Sequence, residues 1–151
     1  MAKFIYRMQN ILNIKYKLEE QAKQEYADAQ YAYQQEVDKL EAIKVRRLNY
    51  LEEMRGFAEG SVNVLELDRC NDAIFVLDGM IQEQKNKVFY AQVAVDRARE
   101  KLNETMQERK THEKLKEHQF ENFLQELSSE EMKEIDQLVS YKYNSKEEGD
   151  E

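Results

Sequence analysis

Proline and tryptophan are absent from the 151 residues, cysteine occurs once and glycine four times. Each shortage excludes something. Sandwiches and barrels need frequent turn residues, so a chain this poor in proline and glycine is unsuited to an all-β fold. The single Cys70 excludes a disulfide framework within the chain and suits a reducing compartment. No apolar run approaches the roughly 18 residues of a membrane span. Residues 1–7 hold no signal-peptide core, so a soluble cytoplasmic protein is expected. Glycine-rich phosphate loops and dinucleotide fingerprints are missing. One cysteine and two histidines cannot build a zinc site, and His112 and His118 do not share a helix face. Carboxylate pairs are abundant, but on exposed helices they solubilise, and catalysis needs a concave site that excludes water. No catalytic residue, metal or cofactor is therefore expected, and the protein is read as not an enzyme. A basic excess is missing too: Lys+Arg 23 against Asp+Glu 31 gives −8, which argues against nucleic acid as a partner.

What is present is charge and periodicity. Charged residues make up 36% of the chain, well above the roughly 25% of ordinary globular domains. A narrow apolar seam fits that load better than a compact core, and the 10% aromatic content speaks against general disorder. One structural unit is expected at this length. Gly56 and Gly60 mark a turn, because glycine tolerates the positive φ that ends a helix. Asn63 with Glu66 then resembles a capping box. The reading is all-α: a single long two-helix antiparallel coiled-coil hairpin over residues 1–143. Helix one covers about 4–56, the loop about 57–62 and helix two about 63–141, and a C-terminal helical overhang extends past the paired part. Residues 144–151 form an acidic tail expected to be disordered.

In helix one, apolar or small residues from Phe4 through Met8, Ile11, Leu18, Ala22 and Tyr26 to Leu40 recur on average every 3.6 residues, with Lys15 filling one step. That spacing predicts a nearly straight helix. Helix two keeps a strict heptad from Leu67 and Cys70 to Ala98 and Leu102, interrupted by Gln84. Cys70 reads as a small buried hydrophobe. Gln84 either fixes the register or faces a partner, and Gly79 marks a close helix approach or a flexible point. A loop centred near residue 59 would place Phe4 beside Lys114 in a hairpin about 80 Å long. Ser128 with Glu131 is a second capping box, so helix two either breaks near 128 or continues through it.

Two features point to binding. Tyr6, Tyr16, Tyr26, Tyr31, Tyr33 and Tyr50 give helix one many rigid amphipathic contacts. In helix two, Phe75, Val76 and Met80 fall off the seam, and a helix apolar on more than one face implies a second contact. That contact is either a partner protein or a second copy of the chain. Charge is uneven as well: residues 119–151 hold three basic and ten acidic side chains, while 97–118 hold seven basic and five acidic. The tail is a solvated face or a handle for a basic partner.

The opening Phe4-x-Tyr6-x-Met8-Gln9-x-Ile11-Leu12-x-x-Lys15, then Glu19-Glu20-x-Ala22, resembles the start of the flagellar export protein FliJ family, with Met8 where leucine is usual. Leu40 with Arg47-x-x-Tyr50 fits the same pattern. So does the stretch from Glu108-Arg109-Lys110 through Phe120 and Phe123 to Glu134-Ile135-Asp136. The likeness covers roughly residues 4 to 138. It implies a stalk similar to the gamma subunit of rotary ATPases, in the flagellar type III secretion apparatus at the inner face of the cell membrane. The implied partners are the hexameric export ATPase, the export-gate membrane protein and export chaperones. By position, Phe4, Met8, Ile11, Leu12, Lys110 and Lys114 would face the ATPase. Arg46, Tyr50, Phe75, Val76, Leu77 and Met80 would face the export gate, although the family's aromatic at the start of that face aligns to Ala73. An injectisome-type secretion stalk and an unrelated homodimeric coiled-coil scaffold are the alternatives.

Overall fold

A computed structural model of the chain describes residues 3–60 and 63–147. It contains two helices, α1 over Gln9–Ala58 and α2 over Val64–Glu147, packed against each other, and no strand among the described residues. The fold is a helical hairpin.

Helix α1 starts later than the sequence pattern suggests. Residues 3–8 are not helical, and a turn in which Gln9 N–H donates to the Tyr6 carbonyl (3.2 Å) leads into the helix. In a helix Phe4 and Tyr6 would project about 200° apart. Leaving the helical path lets Phe4 become half-buried and Tyr6 buried together. At its other end α1 passes through Gly56 and stops at Ala58, and no described glycine has positive φ. Phe57, the residue after this glycine, is half-buried. Asn63 caps α2, its Oδ1 accepting the Leu65 N–H (3.2 Å) and its carbonyl the Leu67 N–H (3.2 Å). Helix α2 continues without a break through Ser128. Residues 144–147 of the expected disordered tail are helical, and its remaining residues 148–151, like 61–62 of the loop, lie outside the described residues.

The packing divides into two compact units. The first, the loop-proximal unit, is residues 19–105. On its α2 side the buried and half-buried positions follow the heptad from Leu67 to Leu102 that the sequence shows. On its α1 side they alternate by three and four from Glu19 to Phe57, so this helix also carries a heptad and not a 3.6-residue stripe. Glu19 replaces Leu18 at the seam, and Glu36 and Arg47 occupy further seam positions. Each polar intruder has a partner: Lys23 approaches Glu19 (3.5 Å) and Arg47 Nε donates to Asp78 (2.6 Å). Gln84 is buried, and its amide donates to the Glu36 carbonyl (2.9 Å) and the Glu36 carboxylate, so it faces inward and pins the register. Cys70 is buried beside Glu53, and burial and then the Glu53 charge push its thiol pKa up. Gly79 is exposed, and a Cβ there would meet nothing within 4 Å, so no close helix approach within the chain explains it.

The second, the terminal unit, comprises residues up to 18 with those from 106 on. Its core is small and polar. Leu12 is 1% exposed while Ile11 is exposed, a shift of one position from the expected stripe. Facing Leu12 and Tyr6, α2 presents Arg109, His112 and Lys116 at half-buried positions where an apolar seam would continue. Phe4 lies against Phe120 and Phe123 rather than Lys114. The offset has two causes: α1 runs two residues past its expected end and moves the turning point along the chain, and residues 3–8 leave the helical path.

Candidate functional site

The two groups of candidate residues fall in different units, and each is built locally. In the terminal unit the Phe4 ring stands edge-on to Phe120 with centroids 5.2 Å apart, and tilted to Phe123 at 5.4 Å. Such pairs prefer edge-to-face contact because ring edges are positive and faces negative. Lys116 Nζ sits 5.9 Å from the Tyr6 ring centroid and donates to Gln9 Oε1 (2.7 Å). Lys15 pairs with Glu108 (2.9 Å). The Tyr16 hydroxyl donates to Glu113, which also receives Arg109 (2.9 Å). These bonds, Tyr16 first, lower the Glu113 carboxyl below its ordinary value. Outside this core lie the exposed Ile11, Lys110 and Lys114, with Met8 half-buried. A groove of about 490 Å³ in the same unit includes only Phe4 of the candidate residues, and Lys3, Ile5, Arg7, Gln119, Asn122, Phe123 and Glu126 also line it. Of the six residues assigned to an ATPase, Leu12 spends its side chain in the core, and the other five retain accessible surface.

The loop-proximal unit carries the other group. Phe75 is 80% exposed, Val76 60% and Met80 38%, whereas Leu77 is 3% exposed and packs in the seam. Arg46 is exposed and Tyr50 half-buried. At 100° per residue, Met80 flanks the buried Leu77 and Ile81 on one side, and Phe75 and Val76 point outward. Gly79 lies among them, so the outer face of α2 has a flat spot between exposed apolar side chains.

Tyr6, read from the sequence as one of the tyrosine contacts, is buried in the terminal unit's core with Lys116 over its ring. Sequence reasoning passed over Lys116, and also Val45 and Leu48, which expose apolar surface on α1. Phe89 and Tyr90, both exposed, stand edge-on at 5.8 Å. An aromatic pair beside the heptad positions Val88 and Ala91 is the signal that could have found the last two.

No group of acidic, histidine or cysteine side chains among the described residues could hold a metal ion, and no helix is long and apolar enough to cross a membrane. The described residues form a helical hairpin that carries aromatic, aliphatic and basic side chains on its outer faces. The family described as Flagellar FliJ protein matches residues 4–148. The chain belongs to that family, which ties it to flagellar protein export. No curated protein and no solved structure matches the chain.

Proposed function

We propose that the chain is the non-enzymatic central stalk of the flagellar type III export ATPase complex, working in the cytoplasm at the inner face of the membrane. Membership of the FliJ family over residues 4–148 carries this reading. The terminal unit supplies the ATPase contact through Phe4, Met8, Ile11, Lys110 and Lys114. The Phe4–Phe120 and Phe4–Phe123 contacts hold the non-helical residues 3–8 against α2 and so offer an ordered end to the ring. Binding the assembled ring but not free subunits would drive assembly by mass action. In the loop-proximal unit, Arg46, Tyr50, Phe75, Val76 and Met80 supply the export-gate contact, and escort of export chaperones completes the role. The test adds the chain to its cognate ATPase and follows ring formation and ATP hydrolysis. Both rise on this reading, and the stalk role fails if neither does.

The exposure of Phe75, Val76 and Met80 favours a second reading, a homodimeric scaffold that buries them between two copies. Light scattering separates the two: a persistent dimer at micromolar concentration supports the scaffold, a monomer the stalk.

A further inference from the structure

We propose that a groove on the opposite flank of the α1–α2 seam from Met80 binds an acidic amphipathic segment of a partner protein. The groove lies within the loop-proximal unit and measures about 710 Å³. Its lining includes Lys44, Arg47 and Leu48 from α1 and Asp78, Ile81 and Lys85 from α2. Arg47 is held by Asp78 at 2.6 Å. Lys44 and Lys85 are exposed and, among the described residues, have no ion-pair or hydrogen-bond partner. They stand on either helix, with exposed Leu48 and buried Ile81 also lining the groove.

The groove is thus locally basic in a chain of net charge −8. Two unpaired ammonium groups on facing walls want carboxylates, and the leucine wants an apolar side chain. A segment with acidic and aliphatic residues on one face satisfies both. A bare phosphate or a polyanion would leave Leu48 uncovered, and the chain's overall charge repels nucleic acid. A second copy docking by the same patch is disfavoured, because two-fold pairing sets these lysines against one another. The inference is independent of the ATPase and export-gate contacts, since it uses none of their residues.

The test measures fluorescence anisotropy of a dye-labelled synthetic helical peptide with Glu and Leu on one face, titrated with the full chain at low ionic strength. Saturable binding is expected. The double variant Lys44→Glu/Lys85→Glu should weaken it roughly tenfold or more through charge reversal. Leu48→Ser should weaken it too, and Lys87→Glu, on the other flank, should not. Thermal melts check that the variants fold, and Lys85→Gln serves if the double variant does not. The proposal is overturned by an absence of saturable binding or by an equal loss in Lys87→Glu. It is also overturned if a Glu/Ser peptide, inorganic phosphate or phosphatidylglycerol vesicles compete as well as the Glu/Leu peptide.

Discussion

Gly79 shows how a single residue separates folding from function. A glycine inside a helix costs about 1 kcal/mol relative to alanine through backbone entropy. The space around Gly79 is open, so Gly79→Ala meets no clash. The substitution should stabilise the chain by about 1 kcal/mol and raise the melting temperature by about 2–4 °C. A drop in melting temperature would show that the glycine serves packing within the chain. Phe4 is the opposite case, a residue whose value lies in contacts made off the helix. Phe4→Ala should cost the terminal unit about 0.5–1.5 kcal/mol beyond the lost burial. Hydrogen exchange should then speed up around residues 9–12, and exchange in the loop-proximal unit should not change. Titration adds a third residue-scale expectation. The Gln84 bond lowers the Glu36 carboxyl, and the Tyr16 bond lowers that of Glu113. Their stabilisation is therefore fully present above the unfolded carboxylate value of about 4.3 and is lost as pH falls through the lower folded values. In urea melts from pH 7 to pH 3 this contribution should hold steady down to about pH 5 and be lost below about 4.3, less steeply in Glu113→Gln.

The two helices differ in how openly their sequences announce their packing. On α2 nearly every seam position from Leu67 to Leu102 is apolar, so alternate steps of three and four stand out. On α1 the seam holds the polar residues Glu19, Glu36 and Arg47; Lys23, the partner of Glu19, follows it by four residues, but Gln84 and Asp78, the partners of the other two, are visible only in the folded chain. Leu18 and Ile11, next to true seam positions, mimic a 3.6-residue stripe. The outward Phe75, Val76 and Met80 could be picked out because they break a clear heptad. The partners of Phe4 could not, because residues 3–8 leave the helix and the turn shifts the register. The continuity of α2 past residue 127 is likewise a property of the element, one that the capping pattern at Ser128 left open. Beyond Ser128 the side chains of Met132, Ile135, Leu138 and Val139 are exposed, so little packing supports the helix there. Ser128→Pro removes a helical hydrogen bond and clashes with the preceding turn, at about 3 kcal/mol. Circular dichroism should lose the helical signal of the residues beyond it, while the melt of the loop-proximal unit stays unchanged. An undiminished signal would mean that this stretch is not helical in solution.

For the molecule as a whole, composition and family meet. A chain with no proline can run α2 over 84 residues, because no residue removes a backbone donor or collides with the preceding turn. Net charge is −8, yet residues 97–118 hold seven basic against five acidic side chains, and Lys110 and Lys114 among them are exposed. A contact made through those lysines should weaken as salt rises, since exposed charges are screened within about 10 Å at 0.1 M. On the proposed stalk reading, the export ATPase is the partner in that contact. The most direct measurement is the hydrolysis rate of the cognate ATPase as this chain is titrated in. The expected result is a saturable rise that Lys110→Glu/Lys114→Glu weakens without lowering the melting temperature. A rate that stays flat at every concentration of the folded chain would contradict the stalk role.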